Sequence, residues 1–138
     1  MTRILRLSLV AAFLLVIAVP AFAASLNGIT PLAPKSGATV TKGSPPTFKA
    51  KVVGEGSVFM HICKSKKKDA DGLICSKVTI AEMKKRAGIF RHKPKDYSFR
   101  GYWLVTPGTY YWQAHRIQCD VGDDDCQKEG PIVKFFVR

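Results

Sequence analysis

The sequence predicts an all-β domain, a two-sheet antiparallel β-sandwich interrupted by one short inserted helix. Three observations point there. Apolar residues recur with a period of two in short runs, most plainly Phe48, Ala50, Val52 and Val58, Met60, Ile62, the spacing of strands with one face on a core. Eleven Gly and eight Pro among 138 residues punctuate these runs at close intervals, as turns between short strands require. One T-x-x-E stretch, Thr79-Ile80-Ala81-Glu82, followed by basic residues and Gly88, carries the start and stop signals of a helix.

Residues 1–23 read as a secretory signal peptide. Arg3 and Arg6 supply the positive start, Leu7 to Val19 is an almost unbroken apolar run, and Ala21-Phe22-Ala23 forms an A-x-A cleavage site. The apolar run is shorter than the roughly 20 residues of a spanning helix and ends at Pro20. The expected product is a mature domain of residues 24–138, secreted or periplasmic, without a membrane span. Its length suits one domain and excludes a full-size catalytic barrel or a doubly wound nucleotide fold. A hydrophobic content of 46% excludes a disordered tail. All four cysteines, Cys63, Cys75, Cys119 and Cys126, lie in the exported part. An even count in an oxidising compartment favours two disulfides, with three pairings open. The spacings lack the C-x2-C clamps of common zinc folds.

In chain order, Leu26 to Gly43 is rich in Pro, Gly, Ser and Thr and reads as an extended lead-in. It ends in a short edge strand at Ala38-Thr39-Val40, the first, and Pro45-Pro46 punctuates it. Phe48, Ala50 and Val52 alternate with Lys49 and Lys51 in the second strand, which has one wet face. After a Gly54-Glu55-Gly56 turn, Val58, Met60 and Ile62 alternate with Phe59, His61 and Cys63 in the third. A polar loop from Lys64 to Gly72 precedes a fourth strand, Leu73 to Val78. The helix follows over Thr79 to Gly88, with Lys84, Lys85 and Arg86 in its last turn, where cations complement the helix dipole. Ile89 to Arg100 reads as an irregular crossing and Tyr102 to Val105 as a fifth strand. Thr106-Pro107-Gly108 turns into the sixth, Thr109 to Cys119. Asp120 to Gly130 is an acidic loop, and Pro131 to Val137 the last strand, with Val133, Phe135 and Val137 on one face.

Specific residues add to this pattern. Pro34-Lys35-Ser36-Gly37-Ala38, Pro46-Thr47-Phe48, Pro107-Gly108-Thr109-Tyr110-Tyr111-Trp112 and Val133-Lys134-Phe135-Phe136-Val137 together resemble bacterial secreted fibronectin type III-like, immunoglobulin-like domains, over roughly residues 30–62 and 102–138. The resemblance implies that Tyr110 takes the tyrosine-corner position, ring inside and hydroxyl tied to nearby backbone. Phe48 and Trp112 join it as core residues. Where such domains often carry a Trp two residues after the Phe of the second strand, this chain has Ala50, a gap for Trp103 or Trp112 to fill. The resemblance also bears on the cysteines. Cys63 and Cys75 flank the turn between the third and fourth strands, and Cys119 and Cys126 the turn between the last two. Cys63 and Cys119 then fall at opposite poles, so the implied pairing is Cys63–Cys75 and Cys119–Cys126.

Chemistry-bearing motifs are sparse. His61, His92 and His115 fit no H-x-x-x-H or HExxH arrangement. His61 and His115 could face outward on neighbouring strands as two metal ligands, though polar surface residues are the default, and no metal or cofactor is predicted. No Gly-rich phosphate loop or G-x-S-x-G elbow occurs, so an enzyme is not expected. Asp120, Asp123, Asp124 and Asp125 cluster without EF-hand spacing and read as a solvated turn rather than a calcium site.

The basic residues are more informative. The mature chain keeps twenty Lys and Arg against ten acids once Arg3 and Arg6 are removed, a net +10. Residues 64–100 hold twelve of those cations against Asp69, Asp71, Glu82 and Asp96. Lys64, Lys66, Lys67, Lys68, Lys84, Lys85, Arg86, Arg91, Lys93 and Lys95 are the candidate anion-binding residues, expected along one edge of the sandwich. Aromatic Phe90, Tyr97, Phe99 and Tyr102 are interleaved among them, as in surfaces that grip anionic chains. The function expected is a non-catalytic extracellular binding module for a protein or an anionic surface polymer. The alternative is a secreted inhibitor that blocks an enzyme through its loops.

Overall fold

The alternating runs become strands in the computed structural model, which describes residues 24–75, 80–94, 106–120 and 126–138. These are β1 (Ile29–Ala33), β2 (Thr39–Val40), β3 (Phe48–Val52), β4 (Ser57–Cys63), β5 (Ile80–Arg86), β6 (Ile89–His92), β7 (Gly108–Ile117) and β8 (Gln127–Val137). The expected signal peptide at 1–23, the expected strand at 102–105 with Trp103, and Lys95, Tyr97, Phe99 and Asp123 to Asp125 lie outside the described residues. So does 76–79, the second half of the expected fourth strand. Its first half, Leu73 to Cys75, is irregular and joins the preceding loop through an isolated Lys68–Ile74 bridge.

The strands hydrogen-bond in one eight-stranded mixed sheet of order β1-β3-β6-β5-β4-β7-β8-β2, where two separate antiparallel sheets were expected. Two departures account for this. β5 pairs with β4 through residues 80–83 and with β6 through residues 84–86, joining the two halves. β2 runs parallel to β8, because the chain crosses after β1 from one end of the sheet order to the other. Backbone bonds from Gly37 N–H to the Lys134 carbonyl (2.8 Å) and from Phe136 N–H to the Ala38 carbonyl (2.8 Å) tie that crossing down.

The inserted helix is not formed: residues 80–86 are strand β5, Ala87-Gly88 a turn, and 89–92 strand β6. The physical reason lies in the burial pattern. Ala81 and Met83 are buried while Glu82 and Lys84 are exposed, a period of two that offers no stripe to a helix. A two-turn helix is marginal in isolation, whereas the strand gains a partner on each half. Likewise the irregular crossing expected from Ile89 is, through His92, a strand between β3 and β5.

β8 begins at Gln127 and takes in Gln127 to Gly130, read above as the end of the acidic loop, ahead of Pro131 where the strand was expected to start. Pairing jumps from Gln113–Ile132 to His115–Glu129, so Gly130 and Pro131 together oppose Ala114 in a bulge. A bulge tolerates the N–H that proline lacks. Gly130 is required there for another reason. A Cβ would lie 2.6 Å from Ile29 Cγ2 and 2.8 Å from the Ala114 carbonyl, because β1 crosses directly over this point.

The sheet curls until its distant strands face each other across one core. Phe48 of β3 meets Trp112 of β7 edge-on at 5.4 Å and Phe135 of β8 at 5.9 Å between centroids. Phe48, Tyr110, Trp112 and Phe135 are fully buried, with Ile29, Met60 and Ile62 around them. The Trp112 indole N–H donates to the Pro34 carbonyl at 3.0 Å. Thus Trp112 lies against Phe48, in the strand where Ala50 leaves room. The Tyr110 hydroxyl donates to the Thr106 carbonyl at 2.8 Å. The disulfides are Cys63–Cys75 and Cys119–Cys126. Their short loops correspond to roughly 2.5–3 kcal/mol each on a chain-entropy basis. Among the described residues no helix is long and apolar enough to cross a membrane.

Candidate anion-binding surfaces

Strand alternation decides where the cations go. On β3, Phe48, Ala50 and Val52 are buried, so Lys49 and Lys51 point away from the core. On β6 the same logic turns Arg91 outward, beside buried Phe90, and on β5 it turns Lys84 and Arg86 outward, beyond buried Met83. Register then aligns them: Arg91 lies opposite Lys49 on one side and Lys84 on the other. Adjacent strands are about 4.8 Å apart, so three cations span roughly 10 Å. Like charges directly opposite one another repel. The ion pair that relieves this row is Lys84 with Glu82, at 2.5 Å. The Arg91 Nε is shielded from water and makes no hydrogen bond among the described residues.

Neighbouring residues do less. Lys85 faces the other way, its ammonium 5.7 Å from the Phe90 ring centre. His92 lies opposite Phe48. Burial lowers its pKa below 6.5, partly offset by a hydrogen bond with the Glu82 backbone, so it adds little positive charge at neutral pH. Lys93 is exposed just past β6.

Lys64, Lys66, Lys67 and Lys68 occupy a different place. All four are exposed on the loop that leaves β4. That loop folds back over the outward face of β7 and β8, keyed by one buried side chain. Gln113 accepts from the Ile74 N–H at 3.0 Å and donates to the Gly72 and Gly130 carbonyls, each at 3.0 Å. Asp69 Oδ1 accepts the Asp71 and Leu73 N–H groups within the loop, and Cys63–Cys75 closes its base. The 64–68 and 84–86 clusters therefore do not meet at one edge. Met83 pairs with Val58 near the start of β4, and Lys64 follows its end, roughly 20 Å away at the usual strand rise.

The same outward face holds the histidine pair. His61 and His115 are on adjacent strands but buried, not exposed. The His61 Nε2 and His115 Nδ1 are 2.8 Å apart, the rings stack at 4.6 Å, and Phe59 stacks on His115 at 5.5 Å. Burial, and then the charge of His61, lower the His115 pKa from 6.5 to about 4. The two imidazoles share a hydrogen bond where a metal pair was conceivable. No group of three or more His, Cys, Asp or Glu among the described residues could hold a metal ion.

Sequence reasoning missed Lys49, Lys51 and Gln113. The two lysines were legible as the wet face of a strand, but nothing local named the strands beside them. Gln113 had no signal at all. Its substitution tests the loop. Gln113→Ala is expected to cost about 2 kcal/mol by leaving a buried N–H and two carbonyls unsatisfied. It should also speed amide exchange at Ile74, and unchanged exchange there would show the loop holds without it.

The chain matches no protein-family model, and its comparison with curated proteins and with solved structures gave no significant match.

Proposed function

We propose that this chain is an exported, non-catalytic binding module, a two-layer domain of the fibronectin type III-like kind, whose ligand is an anionic polymer. The tyrosine hydroxyl bonded four residues back and a strand order in which β5 links two halves support the fold reading. The two disulfides support export, since such bonds persist in oxidising compartments.

One observation carries the ligand reading: Lys49, Arg91 and Lys84 stand side by side across three strands. Holding like charges in register costs stability, and a polyanion laid across the row relieves that repulsion while releasing its own counterions. The test is binding of residues 24–138, with both disulfides formed, to a sulfated polysaccharide at rising salt. Affinity is expected to fall steeply as exposed charges are screened. The triple variant Lys49→Gln, Lys84→Gln, Arg91→Gln should lower the slope of log affinity against log salt by about three without lowering the melting temperature. Absent binding at low salt, or an unaltered slope in the variant, would overturn the proposal.

A further inference from the structure

We infer that the domain bridges two anionic chains, holding one on each side of its core. The inference rests on the polymer reading above and adds a second, separate surface to it. Lys49, Arg91 and Lys84 project from the outward side of β3, β6 and β5. Lys66, Lys67 and Lys68 project from the loop seated on the outward side of β7 and β8 through Gln113. The inward sides of β3 and β7 face each other, since Phe48 packs on Trp112. Outward from β3 and outward from β7 are therefore opposite directions.

That geometry has two physical consequences. Packed layers are about 10 Å apart, and side chains on both sides widen the separation further. Two bound polyanions would then stand beyond the screening length of about 8–10 Å at physiological salt, so neither repels the other from its surface. The second surface is also held in position. Cys63–Cys75 closes the loop and Gln113 fixes Gly72 and Ile74 to the sheet, so its lysines are presented on a fixed platform and not on a free tail. A single chain cannot lie on both surfaces without passing around the molecule, whereas two chains can each take one.

The experiment uses heparin as the probe. The domain is loaded on immobilised heparin at low salt, washed, and challenged with fluorescent heparin of the same length. Wild type is expected to retain the second chain. The variants Lys49→Gln, Lys84→Gln, Arg91→Gln and Lys66→Gln, Lys67→Gln, Lys68→Gln are each expected to stay bound to the first chain and to lose capture of the second. Binding without capture by wild type would overturn bridging and leave the single-surface reading standing. Capture by both variants would overturn it in favour of self-association. No binding to the immobilised heparin would sink both readings together.

Discussion

Trp112→Ala is expected to destabilise the domain by about 3–5 kcal/mol, the usual range for deleting a large buried aromatic side chain. Trp112 is fully buried and touches Phe48 edge-on, so truncation opens a cavity between β3 and β7 where the curled sheet closes on itself. It also strips the Pro34 carbonyl of the indole N–H that satisfies it, adding a buried acceptor without a donor. Chemical denaturation of wild type and variant measures the difference. Trp112→Phe should recover part of the loss, because a ring still meets Phe48 while the hydrogen bond stays broken. A loss below about 1 kcal/mol for Trp112→Ala would mean that the site behaves as surface.

Acidification should produce the second large effect. His115 has a pKa of about 4 in the folded chain, against 6.5 for an ordinary histidine, because burial and neighbouring His61 disfavour its charged form. The unfolded chain therefore binds the extra proton first as pH drops. The stabilisation is fully present above pH 6.5 and is lost as pH falls from there to about 4. At roughly 1.4 kcal/mol per unit, that window corresponds to a loss of about 3 kcal/mol. Carboxylates as a class titrate in the same range, so the measurement is a difference. Urea midpoints of wild type and His115→Asn, followed from pH 7 to pH 4, should converge or cross as acid removes the wild-type advantage. Parallel curves would show that His115 is not the group responsible.

Local sequence determined the all-β character of this protein and most of its strands. Phe48 to Val52, Val58 to Ile62 and Tyr110 to Ala114 alternate apolar with other residues, and a period of two places alternate side chains on one face wherever the strand ends up. The disulfides join cysteines only 12 and 7 residues apart, so they too belong to short-range order. Tertiary structure decided the rest. Thr79 to Gly88 held helix-capping signals worth on the order of 1 kcal/mol, outweighed by strand pairing of β5 to both β4 and β6. Gln127 to Gly130 read as loop, whereas β7 pairs with it and absorbs Gly130-Pro131 in a bulge. The candidate site divides in the same way. The abundance of cations, and the wet face bearing Lys49 and Lys51, were plain in the sequence. That Arg91 stands beside Lys49 as well as Lys84, and that Gln113 seats the lysine loop on the far side, depend on the Lys49–Arg91 pairing, 42 positions apart, and on Gln113 bonds to Ile74 and Gly72, 39 and 41 positions away. Such contacts are set by register and by the curl of the sheet, which no local pattern of residue types encodes.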